Sequence, residues 1–132
     1  MSAAKELPTD VGDRTDAIEL GPWNAFVSYS RADIDEVSDL VNALRKANFK
    51  LWVDLEGIPP STEWQEEIRN GIANSDAFIL CISPTAVVSE PVLDEIVLAA
   101  QFGKRIITVL LSDTPYNDLP EPARRIQWID AR

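Results

Sequence analysis

The sequence predicts an α/β fold built on a five-stranded parallel sheet, and three observations carry that prediction. Short β-rich runs alternate with segments whose apolar residues recur at helical spacing. The run Ala77-Phe78-Ile79-Leu80-Cys81-Ile82 is continuously apolar and ends in Ser83, as expected of a central parallel strand covered on both faces. Helix-stop residues, Asn48 and Gly103, stand just before new strand-like runs. Such alternation implies right-handed crossovers with helices on both sides of the sheet.

In chain order, residues 1–22 have no apolar period and read as a flexible acidic leader. Trp23 to Ser30 is the first strand, with Ser30 or Asp33 available to cap the helix that follows. Val37, Leu40, Val41 and Leu44 form the apolar stripe of that helix, acids early and bases late as the helix dipole prefers. Phe49 to Leu55 is the second strand. The loop Glu56 to Ser61 holds Gly57, Pro59 and Pro60. Thr62 and Gln65 make a capping box for a helix that carries Trp64, Ile68 and Ile72, with Trp64 read as core.

Ala77 to Ser83 is the third strand. Ser89 or Glu90 caps the third helix, with Pro91 tolerated in its first turn. Its predicted buried stripe is Val92, Leu93, Ile96, Val97 and Ala100. Arg105 to Leu111 and Gln127 to Ala131 are the fourth and fifth strands, separated by a Pro-containing segment with at most a short helical turn at Pro122 to Arg125. The expected topology is flavodoxin-like, three layers with strand order 2-1-3-4-5. Its switch point then falls between strands 1 and 3, where the loops after Ser30 and Ser83 open.

Composition narrows the chemistry. With 132 residues the chain suits one domain. A formal net charge of −10 argues against a nucleic-acid or anionic-membrane partner. Cys81 is the single cysteine, so no intrachain disulfide forms and a reducing, cytoplasmic setting is expected. Its place in an apolar strand suits a small buried hydrophobe. Histidine is absent, which removes Ser-His-Asp and Cys-His nucleophiles and the usual zinc sets. No apolar run reaches membrane-span length, and the N-terminus lacks the apolar region of a signal peptide.

Ser28-Tyr29-Ser30-Arg31-Ala32-Asp33 contains no glycine, which counts against a phosphate cradle, a flavin mononucleotide site or a dinucleotide fingerprint after the first strand. Ser83 stands where a response-regulator receiver needs an aspartate. Tyr29, Ser30, Arg31, Asp54 and Glu95 converge on the sheet edge, and such a set suits a ligand with a flat ring, phosphates and ribose hydroxyls. By residue type alone, Glu95 also reads as a solvated helix glutamate, Arg31 as a surface charge, Asp54 as a turn residue and Tyr29 as a strand end.

Five motifs in register resemble the Toll/interleukin-1 receptor (TIR) domain of the bacterial type, over about Trp23 to Arg132. They are Ala25-Phe26-Val27-Ser28-Tyr29-Ser30, Asp54 through Gly57 to Trp64, Ser83 through Ser89 to Glu95, Gly103-Lys104-Arg105-Ile106-Ile107, and Gln127-Trp128-Ile129-Asp130. Where the family has a tryptophan four residues before its glutamate, this chain has Pro91, and Val92 replaces the family's cysteine. The resemblance implies an NAD+ nucleosidase that cuts the nicotinamide–ribose bond to give linear or cyclic ADP-ribose. It makes Glu95 catalytic and Tyr29, Ser30, Arg31, Asp54, Ser89 and Pro91 substrate-binding. NAD+ enters as substrate, with no cofactor and no metal. Leu55, Gly57, Ile58, Pro59 and Pro60 belong to the family's BB loop, an interface for homotypic self-association. A non-catalytic scaffold acting through such association is the alternative. Because the family carries one further helix after the fifth strand, the resemblance also implies a module of a longer bacterial defence or virulence protein, fused to a sensor or effector domain.

Overall fold

The computed structural model of the chain describes residues 22–55, 62–114 and 128–132. Strands β1 (Trp23–Ser28), β2 (Leu51–Trp52), β3 (Ser75–Ile82), β4 (Arg105–Leu110) and β5 (Trp128–Asp130) form one sheet in the order β2-β1-β3-β4-β5. Every neighbouring pair is parallel. Helices α1 (Ile34–Lys46), α2 (Thr62–Ala73) and α3 (Glu90–Gln101) complete the alternation, with 3-10 turns at Arg31–Asp33 and Ala86–Val88. The predicted topology is the observed one. The leader to residue 21, the loop residues Gly57, Ile58, Pro59 and Pro60, Gln127, and the turn at Pro122 to Arg125 lie outside the described residues.

Strand pleat sorts the core. Successive side chains on a strand point to opposite faces. Phe26, Phe78, Leu80, Ile82, Ile106 and Leu110 pack with Ile72 of α2 and Val92, Ile96 and Ala99 of α3. Their odd-numbered neighbours Ala25, Val27, Ile79, Cys81 and Val109 pack with Val37 and Val41 of α1. The chain therefore has three layers, α1 on one face and α2 with α3 on the other. Among the described residues no helix is long and apolar enough to cross a membrane.

Both helix-stop signals work by one mechanism. Asn48 (φ 71°) and Gly103 (φ 67°) take the left-handed conformation that follows a helix end. The amides of Asn48 and Phe49 bond back to Arg45 and Leu44, and those of Gly103 and Lys104 to Ala100 and Ala99. The last carbonyls of α1 and α3 are thereby satisfied.

Several boundaries differ from the sequence-based expectation. The second strand pairs only over Leu51–Trp52 rather than Phe49 to Leu55. Phe49 is consumed in the close of α1, and Asp54 and Leu55 give their carbonyls to side chains of the first loop. The first strand stops at Ser28 because Ser30 turns the chain into the 3-10 segment, its hydroxyl accepting from the Ala32 amide at 3.4 Å. The third strand begins at Ser75, whose buried hydroxyl donates to the Gly71 carbonyl at 2.6 Å. On α3 the buried stripe is Val92, Ile96 and Ala99, while Val97 is 54% exposed and Ala100 is exposed. The helix is rotated toward α2, so Leu98 and the following Phe102 join the core in their place.

A column of rings fastens α2 to the sheet. Trp52 stacks on Phe26 at 4.6 Å between centroids, Phe26 on Phe78 at 5.6 Å, and Trp64 leans on Trp52 at 5.8 Å. The reading of Trp64 as core holds in the form of this half-buried contact. Gly71 lies against the flat of Trp52, where an added Cβ would sit 2.8 Å from the ring. Trp52 cannot retreat without breaking its stack on Phe26. Gly71→Ala should therefore destabilise the fold by about 1–2 kcal/mol, overpacking outweighing the alanine's helix preference. Urea denaturation checks this, and an unchanged midpoint would show that the stack can yield.

Candidate active site at the end of the first strand

Parity decides which side chains meet α3. Ser28 has the same parity as Phe26, so it points to the α2–α3 face at the C-terminal end of β1, where it is buried. Glu95 lies in the second turn of α3, whose start is fixed by Ser89. The Ser89 hydroxyl accepts from the Val92 amide at 3.4 Å, and Pro91 in the first turn lacks only an amide that would have had no helical partner. Glu95 is thereby brought over the strand end, and the Ser28 hydroxyl donates to its Oε1 at 2.6 Å.

The electrostatics of this carboxyl are unusual. Glu95 as a residue is half-buried, but its carboxyl is the desolvated end. Burial is the largest influence and pushes its pKa up from 4.5 to about 7. The Ser28 hydrogen bond opposes this, and the neighbouring carboxylates of Asp54 and Asp94 add to it. Near neutral pH both protonation states are populated. A cleft of about 470 Å³ opens beside it between α2 and α3, walled by Gln65, Glu66, Ile68 and Arg69 on one side and Pro91, Asp94, Glu95 and Leu98 on the other.

Tyr29 has the opposite parity and packs against the α1-side cluster. Its hydroxyl donates to the Asp54 carbonyl and accepts from Arg31. Arg31 also donates to the Asp54 carbonyl at 2.7 Å and to the Leu55 carbonyl at 3.1 Å. Burial raises the Tyr29 pKa, with Arg31 acting against it. Across the edge, Asp33 accepts from Ser83 and, at 3.4 Å, from Thr85, while Ser83 caps the Ala86 amide at 3.1 Å. These bonds tie the loops after β1 and β3 together. The open volume accordingly lies on the α2–α3 side of the edge. Cys81 is fully buried and its thiol is pushed up to about 12, first by burial and then by Asp33, as suits a packing residue.

The family model of the TIR domain matches residues 25–132. This chain belongs to the TIR domain family. Among solved structures, its fold is similar to the TIR domain of the Toll-related receptor TRR-2 from Hydra magnipapillata, with a TM-score of 0.70 and 21% identity over 83% of this chain and 84% of that one. It is also similar to a metazoan TIR-STING receptor from C. gigas in complex with 2′,3′-cGAMP, at TM-score 0.69 and 25% identity over 83% of this chain and 35% of the receptor. The TIR domains of the activated Roq1 resistosome, which recognises the pathogen effector XopQ, match at TM-score 0.56 and 20% identity over 67% of this chain and 57% of that one. No curated protein matches the sequence significantly.

In this TIR domain the residues read from sequence fall into three groups. Glu95 and Pro91 share the cleft wall. Tyr29, Arg31 and the Asp54–Leu55 backbone form a separate hydrogen-bonded cluster after β2, with the Asp54 carboxylate in electrostatic range of both Tyr29 and Glu95. Ser30 and Ser89 use their hydroxyls as caps. Sequence reasoning missed Ser28, and it missed Gln65, Ile68 and Arg69 of α2 as cleft residues. The parity of Ser28 with Phe26 was the signal that could have found the first.

The raised pKa has a consequence for stability. Between pH 4.5 and about 7 the folded TIR domain holds a Glu95 proton that the unfolded chain has released. Stability contributed by Glu95 therefore falls as pH rises through that window, and the full penalty remains above it. Glu95→Gln, which buries no charge, should melt higher than the parent chain at pH 8, and the difference should vanish near pH 4.5. Thermal melts at the two pH values check the sign.

Proposed function

We propose that this TIR domain is an NAD+ nucleosidase, with Glu95 as the catalytic carboxylate. The observation that carries the reading is a desolvated carboxyl, held by Ser28 at the end of β1, on the wall of a cleft able to take part of a dinucleotide. The nicotinamide of NAD+ is a cationic ring bonded to C1′ of ribose. When that bond breaks, its electron pair leaves on the ring nitrogen and the ring departs neutral. No acid needs to protonate the leaving group, so the second carboxyl of the usual glycosidase pair is dispensable. A chain without histidine can perform this step.

Glu95 in its ionised form holds the ribose hydroxyls and stabilises the positive charge that develops at C1′. Water then attacks C1′ and passes its proton to Glu95, giving ADP-ribose; attack by a nitrogen of the adenine in its place gives the cyclic product. Ser28 fixes the carboxyl against the strand end, so its orientation is set before substrate arrives. Self-association through the BB loop completes the assembly. Arg31 and Tyr29 hold the carbonyls of Asp54 and Leu55, which fixes the backbone up to Leu55. The loop of one copy then closes the cleft of the next.

One observation favours a second reading, a scaffold that assembles without catalysis. Pro91 presents no aromatic face at the cleft wall for the nicotinamide to stack on. Nicotinamide release separates the two. Concentrated or artificially clustered chain should release nicotinamide from NAD+, with a rate that rises with pH as Glu95 ionises, half-maximal near pH 7. Glu95→Gln should lower the rate by ~10²-fold or more. Release unaffected by that substitution would remove Glu95 from catalysis, and no release from clustered chain would leave the scaffold reading.

A further inference from the structure

We propose that Arg69 of α2 is the diphosphate-binding residue of the cleft and sets its preference for dinucleotides over shorter nicotinamide ribosides. The inference rests on the nucleosidase reading and adds a residue that the sequence motifs do not point to.

Charge raises the question. Apart from Arg69, the titratable residues on the cleft wall are Glu66, Asp94 and Glu95, in a chain of net charge −10. A ligand bearing two negative phosphates would be repelled from such a cleft unless a cation met it. Arg69 carries the one positive charge among the described residues that line the cleft. The other basic side chains near this part of the sheet are engaged elsewhere. Arg31 is bound to the carbonyls of Asp54 and Leu55, and Lys104 donates to the Ala73 carbonyl at 2.9 Å.

Position supplies the second argument. The Arg69 guanidinium lies 5.2 Å from the centroid of the Phe102 ring, just beyond the end of α3. It therefore reaches across from α2 to α3 at one end of the cleft. Phe102 supports one face of the guanidinium and leaves its edge N–H donors free for a planar, bidentate contact of the kind phosphate oxygens accept. Despite three acids on the wall, Arg69 forms no ion pair with a described residue.

Spacing gives the third. Pro91, Glu95, Leu98 and Phe102 recur at helical intervals along one face of α3. Glu95 and Phe102 are separated by ~10 Å along the axis at 1.5 Å per residue. In NAD+ the ribose ring and one methylene stand between the scissile bond and the first phosphate. A substrate laid along this face with C1′ at Glu95 carries its diphosphate toward Phe102 and Arg69, and its nicotinamide toward Pro91.

The test uses binding and turnover separately. In the parent chain, which does not consume ADP-ribose, that ligand is titrated calorimetrically with and without Arg69→Ala. The expected result is a Kd weakened about tenfold or more by Arg69→Ala, with Arg69→Lys intermediate because it keeps charge but loses the fork. In the clustered parent chain, the ratio of kcat/KM for NAD+ over nicotinamide riboside, which has no phosphate, should fall about tenfold with Arg69→Ala, through KM for NAD+. Equal ADP-ribose affinity with and without Arg69, no ADP-ribose binding at all, or an unchanged ratio overturns the proposal. Absence of nicotinamide release from the clustered parent chain is a separate result that counts against the nucleosidase reading.

Discussion

A carboxyl buried against the end of β1 and steadied by a single hydroxyl is the constraint around which the sheet edge is arranged. Its position depends on two independent local features. The pleat of β1 aims Ser28 at the α2–α3 face, and the Ser89 cap starts α3 at the register that brings Glu95 above it. Moving either by one residue would swing the pair apart, because a strand residue changes face and a helix residue turns by about 100°. Burial then raises the pKa of the carboxyl to about 7, so that ionised and protonated forms interchange near neutral pH.

The rest of the edge is committed to holding itself together. Asp33, Ser83 and Thr85 tie the loops after β1 and β3, and Tyr29 with Arg31 secures the backbone at Asp54 and Leu55 after β2. Residues that look like ligand groups in the sequence thus act as braces. A groove opens between α2 and α3, and Gln65, Glu66, Arg69, Asp94 and Glu95 stand on its walls. The aromatic column from Phe78 through Phe26 and Trp52 to Trp64 sets the seat of α2, and so the width of that groove.

The fold was legible because its signals are local and redundant. Asn48 and Gly103 stop their helices by backbone conformation, and the apolar run of β3 has no other reading in an alternating chain. Strand 2 was overestimated because its paired length depends on where Tyr29 and Arg31 reach, which is a tertiary fact. On α3, Val92, Leu93 and Ile96 face the core as expected, but Ala99, Leu98 and Phe102 take the places of Val97 and Ala100 because the helix leans toward α2, which helical periodicity alone does not encode. Within the candidate site, motif register is what singles out Glu95. Ser28 was passed over although parity with Phe26, and right-handed crossovers that put α2 and α3 on one face, together place it beneath α3. Arg69 carries no such mark, since its role depends on the distance between two helices.

The ionisation state of Glu95 is the property on which the site depends. Carbon NMR of the labelled side-chain carboxyl, followed from acid to alkaline pH in the folded chain, measures it directly. The expected midpoint is near 7, moving higher in Ser28→Ala as the hydrogen bond to the ionised form is lost. A midpoint at the ordinary value of about 4.5, indifferent to Ser28, would contradict it.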